Sequence, residues 1–102
     1  MTGVAFLKPW KEVSADQSVP LLRELEIEVA PGHPLYGVKL KAIAQSTQAD
    51  DVLFQFEDGR VADVHLTYRR AAESFPWPHH EVYPSLEEWM QQAMIEDHED
   101  MT

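Results

Sequence analysis

Asp63 and His65 are the residues whose types and spacing come closest to a catalytic pair in this sequence. They lie in FQFEDGRVADVHL, residues 54–66, where a carboxylate near an imidazole could orient it as a general base. On a strand, residues two positions apart share one face but are separated by ~7 Å along the chain. That separation is long for a direct hydrogen bond, so we interpret the pair as two exposed polar residues on a sheet.

Other catalytic groups are scarce. The chain has no cysteine, which excludes disulfides, thiolate metal ligands and cysteine nucleophiles. Its serines and threonines lie in no nucleophile elbow, and its glycines form no phosphate loop. The histidines follow no metal-binding spacing, and His79 and His80 would point in opposite directions on an extended segment. We predict no metal, no cofactor and no catalytic residue; His65, Asp63 and His33 are the candidates that an enzyme would use.

The Asp58-Gly59 turn decides which face of the sheet carries the Asp/His pair. A two-residue primed turn would place Asp63 opposite Phe54, among apolar side chains. A type I turn with the glycine in the left-handed conformation forms a bulge and pairs Phe54 with Ala62 instead. A shift by one residue exchanges the two faces, and burial of an unpaired carboxylate is strongly unfavourable. The sequence therefore predicts the bulged turn, with the pair facing away from the main core.

Two amphipathic helices and three strands position these residues. The first helix lies in SVPLLRELEIEVAPG, with Ser18 as its N-cap, and the second in SLEEWMQQAMIEDHED, which begins with a capping box of Ser85 and Glu88. The strands are GVKLKAIAQS, DVLFQFE and RVADVHLTYRR, and their short connections favour antiparallel pairing. We predict an α+β fold in the order α-β-β-β-α. It is a three-stranded antiparallel β-meander with both helices packed on one face, that of Phe54 and Phe56.

The length of 102 residues indicates a single domain over residues 1–102. Within it we predict an extended N-terminal segment over residues 1–17, a proline-stiffened loop over residues 70–84 and a frayed tail over residues 96–102. The first residues lack the basic region and the long apolar stretch of a secretory signal. No segment approaches the ~18 apolar residues of a membrane span. We therefore expect a cytoplasmic protein that does not bind membranes.

Eight basic against eighteen acidic residues give a formal net charge of −10. Nucleic-acid binding depends on neutralising phosphates with basic side chains, so this composition argues against nucleic-acid partners. The same charge speeds association with a basic protein partner.

Two groups of apolar and aromatic residues are candidates for a binding surface. The loops PGHPLYG and ESFPWPHHEVYP carry Tyr36, Trp77 and Tyr83 on backbones stiffened by proline. The outward face of the predicted meander carries a second group, Ile43, Leu53 and Val61. These three side chains require a cover, either the segment ESFPWPHHEVYP or a partner.

The motifs HPLYG, DDVLF, the Asp-Gly turn, VHLTY and SLEEW together resemble a group of small bacterial proteins with no assigned activity. The resemblance covers roughly residues 31 to 90. It implies a compact α+β domain from a bacterium, and it implies no catalytic residues.

The leading functional hypothesis is a non-enzymatic protein-interaction module, of which an immunity-type protein that neutralises a basic toxin is one version. A second is a small hydrolase or metal-dependent enzyme centred on His65, with Asp63 and His33. A third is a homodimeric structural protein that uses the Ile43, Leu53 and Val61 face as its own interface.

Overall fold

A single antiparallel sheet lies between two helices in the computed structural model, which describes residues 6–74 and 77–100. The sheet has five strands in the order β1-β2-β3-β4-β5. The strands are β1 (Trp10–Glu12), β2 (Leu40–Ser46), β3 (Asp51–Phe56), β4 (Val61–His65) and β5 (His79–Tyr83). The predicted α+β class with an antiparallel sheet is confirmed, but the predicted three-stranded meander is wrong because a further strand pairs at each edge.

The bulged turn between β3 and β4 forms as predicted. Gly59 has φ +97°, and the Phe56 N–H donates to the Arg60 carbonyl at 2.9 Å. Phe54 pairs with Ala62 in the resulting register. Asp63 consequently lies on the face opposite to Phe54.

The two strands that the sequence analysis missed are both edge strands. β1 lies in the predicted extended segment, residues 1–17, and β5 lies in the predicted loop, residues 70–84. Each is short and follows a proline, Pro9 or Pro78, and a proline is tolerated at the end of an edge strand. Their apolar alternation is too brief to be recognised without the neighbouring strand.

Helix α1 (Ala15–Glu28) begins four residues earlier than predicted. Its N-cap is Ser14, which forms a capping box with Gln17, and not Ser18. The Ser18 hydroxyl oxygen instead accepts the backbone N–H of Ala42 at 3.0 Å and so ties α1 to β2. Pro20 therefore lies inside the helix and not in its first turn.

The C-terminal helix consists of three consecutive segments, α-helical Leu86–Trp89, π-helical Met90–Met94 and α-helical Ile95–Glu99. The hydroxyl of its N-cap, Ser85, accepts the N–H of Glu88 at 3.1 Å, which is one half of the predicted capping box; the Glu88 carboxylate accepts from the Gln92 side chain at 2.6 Å. The helix continues through most of the predicted frayed tail; residues 101 and 102 of that tail lie outside the described residues, as do residues 1–5 of the predicted N-terminal segment.

The two helices pack on opposite faces of the sheet, which corrects the prediction that both cover one face. Helix α1 covers the face of Phe54, where the apolar stripe of Leu21, Leu25 and Val29 is buried. The C-terminal helix covers the other face, where Trp89 is fully buried. A cluster of apolar residues on each side therefore anchors one helix.

A bulge in β2 redistributes its side chains between these two clusters. Ala42 pairs with Phe54, but Ala44 pairs with Leu53, so the register shifts at the intervening Ile43. Ala44 consequently joins the cluster beneath the C-terminal helix, although the regular alternation predicts it on the α1 side.

Candidate functional site

A polar cleft of about 270 Å³ lies where β3, β4 and β5 meet the C-terminal helix. We call it the acidic cleft. It is lined by Asp51, Asp63, His65, His79, His80, Glu81, Tyr83, Gln92, Ala93, Glu96 and Asp97. The carboxylates come from four elements, β3, β4, β5 and the C-terminal helix, and no lysine or arginine is among the described residues of the lining.

Asp63 forms the inner wall of the acidic cleft, on the face of the sheet that the C-terminal helix covers. Its carboxylate Oδ2 accepts a hydrogen bond from the indole Nε1 of Trp89 at 2.9 Å. The expectation that Asp63 is simply exposed is therefore wrong, although its position away from the Phe54 core is as predicted. The covering helix supplies the hydrogen-bond partner that makes this partial burial acceptable.

The pKa of the Asp63 carboxyl is raised to about 7, chiefly because burial disfavours its charged form. Nearby negative charges on Asp51, Asp97 and Glu81 add to the rise. The hydrogen bond from Trp89 acts in the opposite direction. The raised pKa of Asp63 therefore reflects its burial first and the neighbouring carboxylates second.

His65 is bonded to Asp51 and not to Asp63. Its Nδ1 lies 2.6 Å from Asp51 Oδ1 across the β3–β4 ladder, in which the two residues are directly paired. The side chain of His65 is half-exposed at the mouth of the acidic cleft. A carboxylate does orient this imidazole, but the strand pairing supplies it, and the sequence spacing selected the wrong aspartate.

Two further hydrogen bonds hold the walls of the acidic cleft. The Trp10 indole Nε1 donates to Asp97 Oδ2 at 2.8 Å, which links β1 to the C-terminal helix. The Tyr83 hydroxyl donates to Glu81 Oε1 at 3.0 Å. Burial raises the pKa of the Tyr83 hydroxyl, and the bond to Glu81 contributes to that rise. Tyr83 is therefore a neutral hydrogen-bond donor at physiological pH.

His33 lies apart from the Asp63/His65 pair. It is buried near the first turn after α1, where its Nδ1 accepts the Leu35 N–H at 3.0 Å and its Nε2 donates to the Pro78 carbonyl at 3.1 Å. Its ring lies 4.6 Å from that of His80, and burial lowers the pKa of His33. The structure therefore does not unite the three residues that a His-centred enzyme would use.

The predicted apolar binding face is covered by the chain itself. Leu53 and Val61 are fully buried beneath the C-terminal helix, and Ile43 packs against the same cluster. The sequence analysis expected a cover over these side chains from the segment ESFPWPHHEVYP or from a partner, but the C-terminal helix supplies it. The basis for a homodimer through this face is thereby removed.

The aromatic candidates have different environments. Tyr36 is 52% exposed and Trp77 is 45% exposed, so both are available for contact. Tyr83 is half-buried in the wall of the acidic cleft, where it also packs against the cluster that contains Trp89. Trp77 lies next to β5, with its ring 4.5 Å from that of His79.

A second buried acid, Glu28, was not identified from the sequence. It ends α1, and its carboxylate accepts the backbone N–H groups of Thr67 and Tyr68 at 2.9 and 2.8 Å. Burial raises its pKa to about 7, with a contribution from a hydrogen bond to Glu24. Glu28 anchors the segment after β4, where Tyr68 and Arg70 have positive φ, and we assign it a structural role.

The sequence analysis also missed Asp51, Glu81, Glu96 and Asp97 as neighbours of the Asp63/His65 pair. The only sequence signal for these four residues was the excess of acidic residues in the chain.

Within the part of the chain that the structure describes, no group of three or more acidic, histidine or cysteine side chains is placed to hold a metal ion. Neither described helix is long and apolar enough to cross a membrane. The chain matches no protein-family model, no curated protein and no solved structure.

Proposed function

We propose that the protein is a non-enzymatic interaction module that binds basic side chains of another protein in the acidic cleft. The observation that carries this proposal is the convergence of carboxylates without a lysine or arginine among the described lining residues. Like charges held together at a partly buried site repel each other, and a cation from a partner would relieve that repulsion. The negative charges of Asp51, Asp97 and Glu81, which add to the effect of burial on the pKa of Asp63, are consistent with the same interpretation.

The net charge of −10 gives this binding mode a kinetic advantage, because long-range attraction speeds the encounter with a basic protein. An immunity-type protein that occludes the basic surface of a toxin is one concrete version of the proposal. The resemblance to small bacterial proteins supports a bacterial version of this module.

The proposal is tested with a photo-crosslinking phenylalanine analogue at Gln92, a residue of the acidic cleft, in cells of the source organism. Irradiation is expected to capture a basic protein. Glu96→Lys, on the cleft wall, should abolish the crosslink. Glu26→Lys is the matched control, because it changes the net charge equally at an exposed position on α1, across the sheet. Capture of no protein, or equal loss with both substitutions, would contradict the proposal.

The contact between His65 and Asp51 favours a His-centred hydrolase as a second candidate, since a carboxylate-oriented imidazole is a suitable general base. The described lining of the acidic cleft contains no serine, threonine or cysteine to act as its nucleophile, and an activated water would have to serve. This candidate predicts a hydrolytic activity that His65→Ala abolishes and Asp51→Asn reduces. Hydrolysis that is unchanged in both variants would eliminate it.

A further inference from the structure

The outer edge of β5 is an unpaired strand edge. β5 pairs only with β4. Among the residues that the structure describes, no residue of His79–Tyr83 has a backbone hydrogen bond to any element other than β4. An unpaired edge presents free N–H and C=O groups, to which an extended segment of another chain can add. Most of the strand is exposed, including Val82 at 42% exposure.

The alternation of β5 sets the chemistry that an added strand would meet. Glu81 pairs with Asp63 and His79 pairs with His65, so these β5 side chains face the acidic cleft. Val82 pairs with Ala62, which belongs to the core beneath α1, and so faces the other side of the sheet. A strand that pairs with β5 would place alternate side chains beside Glu81, at roughly 5 Å, within reach of the carboxylates of the cleft.

We propose that β5 binds an extended segment of a partner protein by strand addition, and that basic residues at alternate positions of this segment enter the acidic cleft. The inference rests on the proposed function and names its partner chemistry, an extended peptide that alternates basic and apolar residues. Val82 offers an apolar neighbour on the opposite face. The exposed ring of Trp77, beside the start of β5, offers a surface on which an arginine side chain stacks.

Charge complementarity selects a basic partner over a second copy of this chain. In an antiparallel self-pairing centred on Glu81, the two Glu81 carboxylates would face each other, and directly opposed like charges destabilise a strand pair. Two chains that each carry a formal charge of −10 also repel at long range. A basic segment reverses both effects.

The test uses short, end-capped peptides of alternating valine and arginine as the probe, with the full-length protein in a titration followed by NMR. Two variants of the peptide carry N-methyl groups on alternate residues, one set along each edge of the strand, so that the side chains and the charge stay the same. In strand addition, only one edge of the peptide forms backbone hydrogen bonds with β5. One N-methylated peptide should therefore lose affinity by roughly tenfold or more, and the other should bind like the parent.

Those amides of His79–Tyr83 that point to the outer edge of β5 should also gain protection from hydrogen exchange when the parent peptide binds. If the parent and both N-methylated peptides bind equally, and Glu96→Lys weakens all of them, strand addition is refuted but the acidic cleft as a basic site survives. If binding depends on the peptide edge but not on Glu96→Lys, the proposed function fails. A parent peptide that does not bind overturns the strand-addition inference. If the protein instead forms concentration-dependent dimers in which the same amides are protected, the strand that adds to β5 comes from a second copy of this chain and the basic partner is refuted.

Discussion

Trp89 and Asp63 join the C-terminal helix to the sheet by a hydrogen bond of 2.9 Å between the indole Nε1 and the carboxylate Oδ2. The indole is fully buried, and its ring lies edge-on to that of Trp10 at 4.8 Å. The bond fixes the helix over β4 and also fixes Asp63 in the wall of the acidic cleft. One contact therefore contributes both to the packing of the apolar cluster beneath the C-terminal helix and to the shape of the acidic cleft.

Trp89→Phe should destabilise the fold, because it leaves the Asp63 carboxylate without its donor and removes part of a buried ring. We expect the free energy of unfolding to fall by about 1–3 kcal/mol in urea titrations at neutral pH. Trp77→Phe is the matched control, since Trp77 is 45% exposed. Equal stability of the two variants would show that the bond to Asp63 contributes nothing.

The stability of the protein should decrease as the pH rises from about 4 to about 7. The pKa of Asp63 is about 7 in the folded protein against an ordinary 3.8, so the folded state binds more protons than the unfolded state in this range. Glu28, with a pKa of about 7 against 4.5, acts in the same direction. The stabilising contribution of these two carboxyls is therefore largest below their ordinary pKa values and is lost as the pH rises through about 7.

Asp63→Asn isolates the first of these contributions. The amide keeps an oxygen that can accept the Trp89 N–H, but it does not ionise, so the pH dependence of the unfolding midpoint should flatten in part. The slope should flatten further when Glu28→Gln is added. An unchanged slope in the double variant would assign the pH dependence to other groups.

Glu28 should be necessary for the order of the segment that follows β4. Glu28→Ala leaves the partly buried Thr67 and Tyr68 N–H groups without their acceptor, and such a loss destabilises by up to about 1–3 kcal/mol. We expect faster hydrogen exchange at these two amides together with a lower free energy of unfolding. Glu28→Gln, which retains one acceptor oxygen, should have the smaller effect, and the reverse order would contradict this role.

Gly59→Ala tests the bulged turn that sets the faces of the sheet. A Cβ at this position would meet no atom within 4 Å, so the effect reports the backbone alone. An L-residue at φ +97° is strained, and we expect a loss of about 1–2 kcal/mol in the free energy of unfolding. The control is Glu57→Ala, at an exposed position next to the turn, which should be close to neutral. Equal losses in the two variants would argue against left-handed strain.

The β3–β4 hairpin could be predicted from sequence because its information is local. Phe54 and Val64 alternate with polar residues, and the glycine of the turn leaves one register that keeps Asp63 out of the Phe54 core. The position of Asp63 and His65 on one face follows from the same alternation. Their actual partners, Trp89 and Asp51, do not follow from it, because those contacts depend on where the helix packs and which strand lies alongside.

The edge strands and the placement of the C-terminal helix could not be predicted for a related reason. β1 has three residues and β5 has five, and each is stabilised by the neighbour to which it pairs rather than by its own pattern. The stripe that contains Trp89 and Met94 identifies an amphipathic helix but does not say which face of the sheet receives it. The bulge at Ile43, which turns Ala44 toward that helix, is also invisible in the sequence.

The carboxyl carbon of Asp63, followed by NMR as the pH is varied, tests most directly whether the acidic cleft holds negative charge without a compensating cation. We expect a midpoint near pH 7, which falls when Asp97→Asn removes one of the charges that raise it. We also expect a lower midpoint when the valine–arginine peptide is bound. A midpoint close to the ordinary 3.8, unaffected by the substitution or the peptide, would contradict the account.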